Sequence, residues 1–134
     1  MTINSNKEII AVAPEKLYNM LVSLSKATIA PNIPQISDWE VLDNGCRFSL
    51  AGMLTCSMFL TEQDPFRCVV YQIDTDKNIG AKAFFHIEST STGCELQIEA
   101  DVNAPIFMQA MIKTPLQQAL NKGTSKLKEM AEKY

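Results

Sequence analysis

The sequence predicts an α+β domain in which a curved, seven-stranded antiparallel sheet wraps around one long C-terminal helix. Three observations carry that expectation. From Trp39 to Val102 apolar residues recur with a period of two, in six consecutive runs separated by short turn signals. From Ile106 to Tyr134 the period becomes helical. A helix of about 20 to 25 residues spans roughly 30 Å, close to the width of seven strands at about 4.8 Å each, so it matches the sheet it must cover.

The elements follow in order. Residues 2–12 end in Ile9, Ile10 and Val12 and read as the first strand. Pro14 suits the first position of a helix and Glu15 its positive end, while Leu17, Met20, Leu21 and Leu24 form one apolar face. This short helical region lies between strands one and two. Pro31 and Pro34 then impose an irregular crossing after a helical turn near Ala27. The runs around WEVLD and CRFSLA flank Asn44-Gly45, a hairpin signal. Ala51-Gly52, Asp64-Pro65 and Ser91-Thr92-Gly93 punctuate the later runs.

Alternation assigns faces. Cys94, Leu96, Ile98, Ala100 and Val102 point inward on the last strand, opposite Glu95, Gln97, Glu99 and Asp101. Leu54, Cys56, Met58 and Leu60, then Val69, Tyr71 and Ile73, then Ala83, Phe85 and Ile87, are the matching inner rows. Phe59, Val70 and Phe84 are apolar on the outer face, where an exposed patch would suit a homodimer or another protein contact.

In the terminal helix Ile112, Leu116, Ala119, Leu120, Leu127, Met130 and Tyr134 form the stripe that meets the sheet. Ile106 to Ile112 is apolar nearly all round and asks for burial on several sides. Pro115 would remove the bond to the Met111 carbonyl, and Thr114-Pro115 with Gln117 also reads as a helix start. A break or kink near Lys113–Pro115 is therefore expected, separating a lid, Ile106–Ile112, from a gripped helix, Leu116–Tyr134.

The totals narrow the function classes. The chain has 134 residues, 46% hydrophobic and 20% charged, with a net charge of −3, which fits one domain over 1–134 with a single core. That charge argues against nucleic acid as a partner. No apolar run reaches the length of a membrane span or a secretory segment, so no membrane insertion and a cytoplasmic location are expected. Cys46, Cys56, Cys68 and Cys94 fall in strand runs without close ligand pairs and read as reduced structural thiols, with no metal and no cofactor.

The junction VAPEKLYNML, with Val12-Ala13-Pro14 followed by Leu17, Tyr18 and Leu21, resembles the strand-to-helix pattern of the START-like superfamily, also called SRPBCC or Bet v 1-like. The tail APIFMQAMIKTPLQQAL is similar to the terminal helix of its small bacterial members. The resemblance spans the whole chain and marks a fold. It implies the helix-grip fold, with a deep cavity between sheet and terminal helix for a hydrophobic, lipid- or polyketide-like molecule. Relatives of this kind include lipid and sterol carriers, hormone receptors, polyketide cyclases/dehydratases and co-chaperones, so fold leaves function open.

Binding or carrying such a ligand without turnover is the leading expectation. Trp39, Phe48, Met58, Tyr71, Phe85, Ile98, Phe107, Met108, Met111 and Ile112 are its expected lining. A cyclase or dehydratase is the alternative and would need a proton donor and acceptor along the substrate. His86, Arg47 and Arg67 are placed outward by the alternation, and Glu95, Glu99 and Asp101 read as a solvated face. No catalytic residue is assigned. Tyr71 is the inward polar group that could meet either a buried partner or a ligand.

Overall fold

The computed structural model describes residues 1–27 and 32–133. The first strand is in two pieces, β1 (Thr2–Asn4) and β2 (Glu8–Ile10), both antiparallel to β8 (Gly93–Asn103). Ser5 bridges the break. Its N–H donates to the Ile98 carbonyl at 2.8 Å, and its hydroxyl accepts the Ile98 N–H at 2.8 Å while donating to the Asn6 carbonyl. A side chain thus stands in for one step of the ladder.

Helix α1 (Pro14–Val22) starts on Pro14 with Glu15 in its first turn, and buries Leu17, Tyr18 and Leu21. A single 3-10 turn, Leu24–Lys26, follows; the remainder of the crossing, 28–31, lies outside the described residues, as does Tyr134. The meander is β3 (Ile36–Leu42), β4 (Gly45–Leu50), β5 (Leu54–Asp64), β6 (Cys68–Thr75), β7 (Gly80–Thr90) and β8. The sheet order is β1-β8-β7-β6-β5-β4-β3, with β2 continuing along β8. Counted as ribbons this is the predicted seven-stranded antiparallel sheet, its first ribbon broken once.

Two turns differ in mechanism from the sequence reading. The β3–β4 turn is Asp43-Asn44, and Gly45 is already paired with Leu42. Gly45 is needed for a different reason: a Cβ there would collide with the Met58 carbonyl oxygen on β5. At β4–β5, Ala51 (φ 53°) and Gly52 (φ 67°) are both left-handed, and the Met53 N–H closes the turn on the Leu50 carbonyl at 2.9 Å. That is a type I′ turn with an alanine where glycine or asparagine is preferred. In β3, Asp38 (φ 55°) carries a bulge between Ser37 and Glu40. The extra residue turns Trp39 toward the core while its neighbours face water.

The inner rows are buried as the alternation predicts, save that Leu60 and Ile73 are half-buried near the sheet rim. The outer patch is a correction. Val70 is only 4% exposed, and Phe59 and Phe84 are half-buried. Val70 lies opposite Phe84 in the ladder, and Phe84 stacks on His86 at 5.9 Å, so the patch largely covers itself.

Helix α2 (Ile106–Lys133) is continuous through Pro115, so the expected break is absent. The proline removes one ladder bond, but the helix is pinned on both sides, by Ile112 before it and by Ala119, Thr124, Leu127 and Ala131 after it. The buried line drifts around the helix along its length, which leaves Met130, expected inward, exposed. Polar ties hold the later turns. Gln117 Nε2 donates to the Asn4 carbonyl at 2.7 Å, and Asn121 Oδ1 accepts the Asn6 N–H at 2.9 Å. Further on, Lys128 Nζ donates to the Ile9 carbonyl at 2.6 Å and Glu132 accepts the Ala11 N–H.

Candidate functional site

The region between the sheet and α2 is built from inner-row side chains of every meander strand. Phe48, Met58, Tyr71, Phe85, Ile98 and Ile112 are all buried in one apolar cluster, with Trp39 and Met108 half-buried against it. Trp39 stacks on Phe48 at 5.7 Å and donates its indole N–H to the Ala27 carbonyl at 2.7 Å. Phe85 meets Tyr71 edge-on at 5.8 Å.

Tyr71 answers the question its sequence position raises. Its hydroxyl donates to the Leu21 carbonyl at 2.6 Å, with the Val22 carbonyl at 3.1 Å. The phenol therefore closes the C-terminal end of α1, whose last carbonyls have no partner within the helix. Burial pushes its pKa up, partly offset by Ser25, so it stays a neutral donor. The partner it needed is backbone, supplied by an element that no local pattern around Tyr71 reveals.

Two expected lining residues lie on the surface. Phe107 is 76% exposed and Met111 59%, and Ile106 at 85% is the most exposed large apolar residue of the described chain. They are not buried on several sides: in these first turns Ile112 is buried and Met108 half-buried against the core, while Ile106, Phe107, Ala110 and Met111 are exposed. Just beyond this stretch Leu50, Ala51, Met53, Leu54, Ile112 and Pro115 surround a seam with no room for a water molecule. The deep, open cavity expected from the resemblance is closed at this point. Further along, a Cβ on Gly123 would meet Ile98 Cδ1 at 3.6 Å and Ile33 Cδ1 at 4.0 Å, so the helix sits above that part of the sheet with a methyl's clearance.

The inner space offers no acid–base pair among the described residues. The buried residues with polar side chains besides Tyr71 include Ser5, Ser25, Thr124 and Tyr18, whose hydroxyl donates to Gln63 Oε1 at 3.0 Å. The Thr124 hydroxyl donates back to the Leu120 and Asn121 carbonyls of its own helix. Burial raises the Cys46 thiol to about 11, and burial with the Asp76 charge raises Cys56 to about 12, so both remain neutral and inert. Among the described residues no group of three or more His, Cys, Asp or Glu side chains is arranged to hold a metal ion.

The outer face of the sheet carries a second feature, which the outward assignment of His86 located but did not connect. Cys68, His86 and Gln97 are directly opposite one another across β6, β7 and β8. His86 Nε2 lies 2.8 Å from Glu99 Oε1, and its Nδ1 lies 3.9 Å from Cys68 Sγ. This thiol–imidazole–carboxylate line has the connectivity of a nucleophilic triad. Electrostatics oppose that use, because burial and the charges of Asp64, Glu62 and Glu99 all push the Cys68 thiol up. Beside it, Lys7, Arg67, His86, Ile87, Glu88, Glu95 and Gln97 line an open cleft of about 250 Å³, with Lys7 paired to Glu95 at 3.8 Å.

No family model matches the sequence, and no curated protein matches it. Solved structures do. A START superfamily protein from Mycobacterium smegmatis has a TM-score of 0.70 at 14% identity, over 98% of this chain and 97% of that one. A protein of Chromobacterium violaceum has a TM-score of 0.66 at 18% identity, over 98% and 97%. Ara h 8.0201 has a TM-score of 0.62 at 15% identity, over 100% and 99%. With the sheet order, the gripped α2 and these likenesses end to end, the chain has the START/SRPBCC, Bet v 1-like helix-grip fold.

Proposed function

We propose that the protein binds an extended hydrophobic small molecule between the sheet and α2, and that the first turns of α2 move aside to admit it. One observation carries the reading. The start of α2 is exposed, and directly after it Ile112 and Pro115 close a wholly apolar seam against Leu50, Ala51, Met53 and Leu54. Lifting those turns gives up the burial of little beyond Ile112. It opens a face lined by Trp39, Phe48, Met58, Phe85, Ile98 and Met108, with Tyr71 at the α1 end and Phe107 and Met111 as a rim. The ligand's own apolar surface then replaces the lost contacts at about 25 cal/mol per Å². START and Bet v 1-like relatives lend the reading their fold.

A carrier role without turnover fits an inner face whose Tyr71 and Thr124 hydroxyls are bonded to backbone and whose buried thiols stay neutral, and the cyclase alternative lacks an inward proton donor and acceptor to favour it. The four free cysteines accord with a reducing compartment, which supports the cytoplasm as its location. No helix of the described chain is long and apolar enough to cross a membrane.

The test is a titration with a fluorescent long-chain fatty acid, paired with native mass spectrometry. Trp39, the chain's single tryptophan, serves as the energy-transfer donor. Saturable one-to-one binding, weakened by Gly123→Leu, which fills the clearance over Ile98, is expected. Absence of any one-to-one complex in both measurements would end the proposal.

A further inference from the structure

Ile106, Phe107, Ala110 and Met111 form a continuous exposed apolar patch on two adjacent lines of α2, and nothing in the described chain covers it. Scattered apolar residues on a surface need no explanation, but large ones clustered at one helix end do. Charge indicates the occupant. From Ile106 to Lys128 the helix contains Lys113, Lys122, Lys126 and Lys128 and no acidic residue at all. Its first turn also lacks the acid that would offset the positive end of the helix dipole.

Lys113 continues the line of Ile106 and Ala110 and is exposed. Lys77 is exposed in the β6–β7 turn, at the same end of the molecule, because β7 begins at Gly80 opposite Asn103, just before α2. Neither lysine has an ion-pair partner among the described residues. The nearby Asp76 carboxylate accepts the Thr55 N–H at the β5 side of the turn, and Asp101 faces Lys82 across the ladder. Over its whole length α2 has five Lys against two Glu, net +3 in a chain of net −3, so the rest of the molecule carries −6. Such a charge division orients the α2 side toward an anionic surface and turns the acidic sheet away from it.

We propose that this end of the protein docks on an anionic lipid surface, with Ile106, Phe107 and Met111 entering the headgroup–acyl boundary and Lys77 and Lys113 at the phosphates. An apolar helical face flanked by lysines is the form of an interfacial contact. The contact does not depend on a bound ligand. It goes beyond the binding reading by placing the rim of the seam at the membrane, where an apolar ligand would be exchanged.

The experiment is flotation of the ligand-free protein with vesicles of phosphatidylcholine alone and of equal parts phosphatidylcholine and phosphatidylglycerol. Binding to the anionic vesicles only is expected, weakened at least tenfold by Phe107→Asp and roughly fivefold by Lys113→Gln. Both side chains are exposed, and unchanged thermal unfolding shows that each variant is folded. No binding to the anionic vesicles overturns the proposal, as does equal binding to both vesicle types or binding indifferent to Phe107→Asp. A dimer in light scattering that Phe107→Asp dissociates, without vesicle binding, overturns it in favour of a second copy as the occupant. Fatty-acid titration in the absence of vesicles separates this outcome from failure of the ligand-binding reading.

Discussion

Tyr71 joins the middle of the sheet to the end of α1 through a single hydroxyl, and its environment fixes what its loss should do. Tyr71→Phe keeps the ring against Phe85 but removes the phenol that donates to the Leu21 and Val22 carbonyls. Loss of one such hydrogen bond costs about 0.5–1.5 kcal/mol, and denaturant unfolding should show a loss of that size with an unchanged slope. A loss near zero would mean that water replaces the phenol. The thiols make a second prediction at this scale. Cys46 and Cys56 ionise near 11 and 12 in the folded chain, against an ordinary value of 9.0 when unfolded. Between those limits the unfolded chain has released protons that the folded chain retains, so stability falls as pH rises. It is fully present below about pH 9 and declines through pH 11 to 12, and the decline should be shallower in Cys56→Ala.

At the scale of elements, the β4–β5 turn is where local sequence and local structure disagree. Ala51 adopts a left-handed conformation that costs roughly 1–2 kcal/mol for a residue with a Cβ. Ala51→Gly should therefore raise the melting temperature, less the entropy that glycine adds to the unfolded chain, for a net gain of about 0.5–1 kcal/mol. No gain would mean that Ala51 is not strained in solution. The same contrast explains what could be read from the chain. Strand faces were legible because burial on one side writes a period of two into the sequence, as Cys94 to Val102 shows. The role of Gly45 was not, because a close approach to Met58 on a neighbouring strand leaves no local mark. Pro115 misled for a related reason. The propensity rule describes an isolated helix, whereas contacts at Ile112 and Ala119 hold this one in register across the missing bond. The solvent exposure of Phe107 and Met111 was equally hidden, since an apolar run states a preference for burial without showing what is there to provide it.

At the scale of the molecule, α2 is held unevenly, and that unevenness takes the place of the expected break. From Gln117 to Glu132 it is tied to β1, β2 and the segments that follow them by four side-chain to backbone bonds, in addition to its buried face. Before Pro115 its burial rests on Ile112, with Met108 half-buried. Local opening free energy follows buried contacts and protected hydrogen bonds, so the helix should open from its N-terminal end without unfolding the sheet. Amide hydrogen exchange is expected to be fastest at Met108–Lys113, to slow abruptly beyond Gln117, and to be slowest in β7 and β8. Pro115→Ala sharpens the test, because it restores the N–H that bonds the Met111 carbonyl and improves helix propensity by up to about 3 kcal/mol. Protection at Met111–Thr114 should rise in this variant, and uptake of a fatty-acid probe should slow if the opening of these turns limits entry. Uniform exchange along α2, or uptake that stays fast when protection has risen, would show that the ligand does not enter past this end of the helix.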